Sequence, residues 1–245
     1  MAVHIAGVIQ ARMGSTRLPG KVLRRLGGRT VLERVVRAAS CGGVLDDLVV
    51  ATTAEPADDA VVAECERLGV PWHRGPVDDV LTRFLGVLDR LECEAVMRLT
   101  ADCPLLDPEI IAMAAGTWRA TPTLDYLSTS PQPRTLPRGL DVEIISAEAL
   151  RSLDAAATGH HRTHVTSYVY THAERFRIAG LMFPPGDADL RLTLDTAEDW
   201  ELIKTVVDHF GDGPVPLRTL VGWLRERPEV VALNAGVRQK SLEQA

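Results

Sequence analysis

Eleven consecutive residues, Ala11-Arg-Met-Gly-Ser-Thr-Arg-Leu-Pro-Gly-Lys21, gather three cations, two hydroxyls and two glycines. Charge-assisted hydrogen bonds from Arg12, Arg17 and Lys21 to phosphate oxygens belong to the strong class. Gly14 lets the backbone approach an anion closely, and Ser15 and Thr16 add hydroxyl and N–H donors. The spacing fits neither G-x-x-x-x-G-K-[ST] nor G-x-G-x-x-G. A solvated surface loop is the competing reading. Its place directly after an apolar run, Val3 to Gln10, favours phosphate binding, because ligands of open α/β sheets sit beyond the carboxyl ends of strands. Two aspartates occupy comparable places. Asp102 lies in Thr-Ala-Asp-Cys-Pro, after the run Ala95 to Leu99, and Asp195 follows Leu190 to Thr193. Hard carboxylate oxygens suit Mg²⁺, which needs few protein ligands because it keeps several waters. Asp102 also reads as a loop-capping carboxylate. Asp195 also reads as a charge facing the helix that Thr196 would cap.

The elements that must carry these residues follow from apolar patterning. Thr30-Val-Leu-Glu33 reads as a capping box ahead of a stripe formed by Val31, Leu32, Val35, Val36 and Ala39. A strand is predicted over Leu48–Thr52, and a helix from Asp58 and Asp59 to Gly69. A short strand over Val70–His73 precedes a helix from Asp78 to about Leu91. The strand at Ala95–Leu99 leads through the loop Thr100–Asp107 to a helix opening near Pro108. This alternation implies right-handed crossovers and a mostly parallel sheet. Beyond about residue 120 the pattern changes. Short strands at Leu124–Leu127 and Asp141–Ile145 flank a proline-rich loop, and helices are expected at Ala147–Ala156 and His161–His172. Strands are expected at Arg175–Phe183 and Leu190–Thr193, and helices at Ala197–Phe210 and Leu217–Arg225, with a polar, frayed tail after Asn234. With no repeat or clean linker, 1–245 reads as one domain. Residues 1–120 form a nucleotide-binding half and 121–245 an acceptor-binding and dimerisation half.

The 245-residue chain is 46% hydrophobic, so it can bury a full core, but with only 4% aromatics the packing must be aliphatic. With 27 Lys+Arg against 33 Asp+Glu the net charge is −6, which removes broad attraction for nucleic acid or an anionic membrane and gives a basic cluster a local job. Cys41, Cys65, Cys93 and Cys103 show no C-x-x-C spacing and read as reduced thiols of a cytoplasmic protein. No apolar run approaches a spanning helix, and the first residues do not read as a signal peptide. Met97 and Met113 are expected in the core. Trp72, Trp118, Trp200 and Trp223 are expected in packing or at a subunit interface, and Cys103 as a packed thiol.

The Ala11–Lys21 loop resembles the signature of cytidylyltransferases that activate acidic sugars, the CMP-KDO synthetase and acylneuraminate cytidylyltransferase group. Its nearest likeness is the spore-coat polysaccharide biosynthesis (SpsF-like) branch. Four more segments carry the resemblance in order: Arg74-Gly-Pro-Val-Asp-Asp-Val-Leu-Thr-Arg83, Arg98-Leu-Thr-Ala-Asp-Cys-Pro-Leu-Leu-Asp107, Arg138-Gly-Leu-Asp-Val-Glu143 and Leu192-Thr-Leu-Asp-Thr-Ala-Glu-Asp199. The resemblance implies an α/β, Rossmann-like nucleotidyltransferase fold of glycosyltransferase-A type, with a mostly parallel sheet flanked by helices and a small acceptor-facing insertion. It further implies a homodimer and attack of an acceptor oxygen on the α-phosphorus of CTP, with Mg²⁺ as cofactor and pyrophosphate leaving.

Under that resemblance Lys21, Arg12 and Asp102 are the catalytic candidates, with Arg12 and Lys21 on phosphoryl oxygens. Ser15, Thr16 and Arg17 support the β- and γ-phosphates, and Asp102 and Asp195 hold the metal. Ala11, Gly14, Thr52 (with Ala51 beside it), Arg74 and Asp79 complete the nucleotide site. Asp79 either caps the following helix or accepts from the cytosine amino group. Where relatives carry Ser-Gly-Thr this chain has Asp79-Val80-Leu81. The acceptor site draws on Arg138, Asp141 and Glu143, and on Arg162 and His164 with His161 nearby. Guanidinium forks match a carboxylate or a phosphonate. Glu143 also reads as a metal or supporting residue, and the histidines as an exposed helix face. Thr163 stands where the branch tends to carry glutamate, and Ser128-Thr-Ser130 replaces a commoner Ser-Asn. Both departures bring a small phosphonate in beside the sugar acids as acceptor. Two other readings stay open: a nucleotidyltransferase of this fold taking another nucleoside triphosphate and a sugar 1-phosphate, and a non-catalytic nucleotide-binding protein.

Overall fold

The computed structural model describes residues 3–239. Its first strand, β1 (Ile5–Gln10), alternates apolar side chains to both faces, so Ile5 and Ile9 join one core layer and Val8 the other. After the loop, a two-strand hairpin of β2 (Arg25–Leu26) and β3 (Arg29–Thr30) leads into α1 (Val31–Ser40). The expected capping box there is half formed. Thr30 Oγ1 accepts from Glu33 N at 3.0 Å, but the Glu33 carboxylate is drawn away to Arg67. Strand β4 (Asp47–Thr53), helix α2 (Asp59–Leu68, ended by left-handed Gly69) and strand β5 (Trp72–Gly75) follow. Then come α3 (Val80–Leu88), β6 (Ala95–Thr100) and α4 (Pro108–Ala120), the last capped by Asp107. The second half supplies β7 (Tyr126–Ser128), β8 (Glu143–Ser146) and α5 (Ala147–Ala156), then the single-turn helices α6 (His160–Thr163) and α7 (Ser167–Thr171). Strand β9 (Ile178–Gly180), α8 (Ala197–Phe210), α9 (Leu217–Arg225) and α10 (Pro228–Val231) complete the order.

The main sheet runs β5-β4-β1-β6-β8-β7-β9. The first four strands are parallel, β8 is antiparallel to both its neighbours, and β9 is parallel to β7. This is the mostly parallel, helix-flanked sheet expected. One face is covered by α1, α4, α8 and α9 and the other by α3, α5 and α7. The chain leaves β1 for β4 on one side and later returns to place β6 on the other. The loops after β1 and β6 therefore diverge, and a crevice opens between their carboxyl ends. Antiparallel pairing of β8 with β6 sets Glu143 opposite Arg98 beneath that crevice.

Several expectations need correcting. The helix expected over His161–His172 is broken by Val165, whose φ is +23°. The strand expected over Leu190–Thr193 is an extended segment with one bridge, Arg138 to Arg191. Leu190 and Leu192 alternate because they are buried, not because the segment is laddered. The strand expected over Arg175–Phe183 shrinks to β9. Met97 is in the core, but Met113 is 52% exposed. All four cysteines are free thiols, and burial drives the Cys103 thiol upward in pKa. Among the described residues no helix is long and apolar enough to cross a membrane. Of the tail expected to fray, Gln239 is held by Arg191 Nη1 at 2.8 Å; residues 240–245 lie outside the described residues.

Candidate active site

The loop after β1 is fastened at both ends. Ala11 N donates to Ala51 O at 3.1 Å, and Gly20 N to Met13 O at 3.1 Å. In its middle, Met13 N donates to Asp58 Oδ1 at 2.6 Å. The other oxygen of that buried carboxylate takes Thr53 N and the Thr53 hydroxyl. Asp58 is thus a peg between the end of β4 and the loop. Gly20, at φ +66°, turns the chain so that Lys21 enters the crevice, 9% exposed. Gly14 has no protein atom within 4 Å of the place a Cβ would take, so its open side faces the cleft.

Lys21 Nζ is the meeting point of three loops. It donates to Asp102 Oδ2 at 2.7 Å, to Asp195 Oδ1 at 2.8 Å and to Leu194 O at 2.7 Å. Leu194 N in turn donates to Asp102 O at 2.8 Å, which locks the loop after β6 to the segment before α8. Arg17 reaches Asp195 Oδ2 at 3.1 Å, and Arg191 reaches the same oxygen at 2.9 Å. Behind Asp195, wholly buried Asp199 receives Arg191, the Asp195 and Thr196 amides and Asn234. Thr196 and Asp199 complete a capping box, so the turn holding Asp195 is fixed by the start of α8.

Burial by itself lowers the ammonium pKa of Lys21, but Asp102 and Asp195 outweigh it and the net direction is up. Burial likewise pushes the Asp195 carboxyl up, and Lys21, Arg17 and Arg191 bring it below its ordinary value. The two carboxylates touch one nitrogen, so their oxygens can share one small cation. No cluster of three or more His, Cys, Asp or Glu suited to a metal exists among the described residues. Two hard carboxylates fit the sparse protein ligation of Mg²⁺, with waters and substrate phosphates completing the shell.

The cleft above these groups has a volume of about 1230 Å³, and its lining includes Ala11, Arg12, Gly14–Arg17, Lys21, Asp102 and Asp195 on one wall. Arg138, Asp141, Glu143 and His164 line it on the side of the second half. The Arg138 guanidinium makes no hydrogen bond or ion pair with any described residue, and burial beside Arg134 lowers its pKa. Gly139, at φ +101°, lets the chain pass against the segment before Asp195, where a Cβ would lie 2.4 Å from Thr193 N. Asp141 is paired with Arg134, and burial raises its pKa. Glu143 is saturated by Arg98, the Tyr126 hydroxyl and Thr166 Oγ1, the last at 2.8 Å. It is a strut under the cleft floor rather than an open ligand.

Six expected residues are not brought into this cleft, and the first, Ala51, is fully buried with its carbonyl holding Ala11 N. Thr52 is fully buried with an unpartnered hydroxyl. Arg74 is spent on Thr53 O, Glu55 O and Asp59. Asp79 caps α3 through Thr82 N at 2.9 Å, and its other oxygen holds Arg162 at 2.6 Å. Arg162 is further tied to Thr82 Oγ1 and Asp154. His161 faces Ser167 and an aromatic group of His160, Tyr168 and His172. Conversely, Arg83, Arg98, Tyr126 and Arg134 line the cleft, and Asp58, Arg191 and Asp199 fasten it, although sequence reasoning gave none of them a role in the site. A usable signal existed for Arg83, which lies inside the apolar stripe of Val80, Phe84 and Val87, and for Arg98, inside the apolar run Ala95–Leu99, where a charge needs a reason.

Comparison with known proteins adds four findings. Residues 6–209 match the family model described as Cytidylyltransferase. The chain is 34% identical to the spore coat polysaccharide biosynthesis protein SpsF of Bacillus subtilis, covering 91% of this chain and 94% of that protein. It is 28% identical to the 3-deoxy-manno-octulosonate cytidylyltransferase of Acidobacterium capsulatum, over 87% and 89% of the two chains. The solved structure of a cytidylyltransferase from Leptospira borgpetersenii superposes with a TM-score of 0.90 at 29% identity, covering 98% of this chain and all of that one.

Proposed function

The chain belongs to the cytidylyltransferase family, in its spore-coat (SpsF-like) branch, and from that premise we propose that it joins CMP from CTP to a small acidic acceptor, a sugar acid or a phosphonate, and releases pyrophosphate. The observation that carries this reading is the convergence of Lys21, Asp102 and Asp195 under the glycine loop, with the unpaired Arg138 guanidinium lining the same cleft.

The chemistry follows from charge. An acceptor oxygen forms a bond to the α-phosphorus, the bond from that phosphorus to the β-phosphate oxygen breaks, and negative charge grows on the leaving pyrophosphate. Arg12 and Arg17 and the backbone of Gly14–Thr16 hold the β- and γ-phosphates. Lys21 stabilises the charge that develops as pyrophosphate departs, a preorganised donor in a half-dry site. A divalent cation held by Asp102 and Asp195 would neutralise triphosphate charge and orient the α-phosphate. Arg138 orients the acceptor acid, since its fork is free and Arg134 is already occupied by Asp141. Residues 1–120 then serve the nucleotide, and residues 121–245 serve the acceptor and lend Asp195 to the triphosphate site.

The test is pyrophosphate release over a matrix of CTP, UTP, ATP and GTP against sugar acids, phosphonates and sugar 1-phosphates, with and without Mg²⁺. The proposal expects release with CTP and one class of acid, dependent on the metal. Turnover of UTP with a sugar 1-phosphate would replace it with the alternative nucleotidyl transfer. CTP binding with no release from any acceptor would favour a non-catalytic role.

A further inference from the structure

Arg83 and Arg138 both line the cleft without a partner among the described residues, and of the two Arg83 is the one that is fully buried. It is 2% exposed, its Nε has no hydrogen-bond partner, and its guanidinium forms no hydrogen bond or ion pair with any described residue. The opposite charges that act on it are Asp58 and Asp79, and both are occupied, Asp58 by Met13 and Thr53 and Asp79 by Thr82 and Arg162. Arg12 stands close enough to repel it, and burial with that repulsion takes its pKa down to about 10. A desolvated guanidinium without acceptors is costly. The fold nevertheless makes room for it. At Gly75, the last residue of β5, a Cβ would lie 2.8 Å from Arg83 Cγ. Val80 and Ala11, both apolar and buried, line the same cleft.

What the guanidinium awaits is set by its place. The cations suited to phosphates are in the glycine loop, and the acceptor groups are on the β7–β8 side. Arg83 is on α3, which packs on β4 and β5 at the opposite end of the sheet. A triphosphate centred on Lys21, with its acceptor towards Arg138, must point its nucleoside the other way. We infer that Arg83 is the base-reading residue, donating its two-pronged fork to the adjacent O2 and N3 acceptors of cytosine. Uracil carries N3–H, a donor, at the second position, so the fork would face a donor there. The same arrangement that rewards cytosine therefore rejects uracil, in the way a paired donor fork selects a base edge. The inference deepens the CTP reading and rests on it.

The experiment compares kcat/KM for CTP and UTP, and inhibition by pyrophosphate, in the wild type, Arg83→Met and Arg83→Lys. Both variants are expected to lose roughly 10–100-fold of CTP-over-UTP preference, chiefly through CTP. Lysine should fail too, because one ammonium does not span two acceptors. Pyrophosphate inhibition should stay unchanged, and the melting temperature of Arg83→Met without nucleotide should hold or rise, since an unpaired buried charge has been removed. A merely structural arginine would lower it. Unchanged selectivity overturns the inference, and so does an equal loss for CTP, UTP and pyrophosphate, which would place the guanidinium on phosphate. A wild type without preference for CTP overturns the functional reading and this inference together; a CTP-preferring wild type with unaltered variants overturns the inference alone.

Discussion

Replacing Lys21 by methionine tests the centre of the site, because it keeps most of the volume and removes the charge. Three acceptors then lose their common donor: Asp102, Asp195 and the Leu194 carbonyl. Asp195 keeps Arg17 and Arg191, but Asp102 is left facing another carboxylate. Breaking a buried ion pair by removing one partner costs about 3–5 kcal/mol, and an exposed pair about 0–1 kcal/mol. Side-chain exposures of 11% for Lys21, 27% for Asp102 and 17% for Asp195 put this site between those limits, at roughly 2 kcal/mol. For a chain of this size that is a fall in melting temperature of about 4–8 °C. Turnover should fall roughly 10²–10³-fold, the usual cost of one preorganised donor. The diagnostic assay is melting without nucleotide, titrated with Mg²⁺ or Mn²⁺. In the wild type a cation must displace an ammonium already bound to both carboxylates. In Lys21→Met that competitor is gone, Asp102 is unshielded and Asp195 keeps only Arg17 and Arg191, so the variant should gain more in melting temperature than the wild type, with no return of turnover. Equal metal-induced shifts in the two proteins, or near-normal turnover in the variant, would refute the reasoning.

Arg138→Ala should raise KM for the acceptor about 10–100-fold with KM for CTP little changed, whereas Arg162→Ala should lower the melting temperature and leave acceptor KM alone, because Arg162 is committed to Asp79 and Asp154; steady-state kinetics with each substrate varied separates them. Asp58→Ala removes the peg under the loop and should raise KM for CTP severalfold while costing about 1–3 kcal/mol in chemical denaturation, as buried donors at Thr53 and Met13 lose their acceptor. The lowered Asp195 pKa gives stability that is full above the unfolded value of about 3.9 and is lost as pH falls through the folded value. Acid denaturation of Asp195→Asn should therefore show a shallower loss over that window than the wild type.

Much of the scaffold was legible because local chemistry and burial agreed. Helices α5, α8 and α9 begin and end where their apolar stripes and caps say, and Asp107 with Pro108 opens α4. The runs that became β1 and β6 are apolar on both faces, as buried parallel strands must be. The loop, Asp102 and Asp195 were legible because each follows an apolar extended run whose end must open on the same crevice. What failed depends on distant partners. Nothing in Leu190–Thr193 says that its neighbour is the single residue Arg138 rather than a strand. Nothing around Val165 announces a positive φ. Arg74 and Arg162 have the right side chain for an anion, but Asp59, Asp79 and Asp154 claim them in three dimensions. Asp58 reaches Met13, and Asn234 reaches Asp199, across loops far away in sequence, and local pattern carries no record of such pairings.

The most direct test of the central claim is a crystal structure with a non-hydrolysable CTP analogue and Mn²⁺, read by anomalous scattering. The account predicts a single manganese peak within coordination distance of Asp102 and Asp195, with Lys21 moved onto the phosphate chain and the α-phosphorus facing Arg138. Manganese elsewhere, or an analogue bound with its phosphates away from the glycine loop and Lys21 still clamped between the two carboxylates, would contradict it.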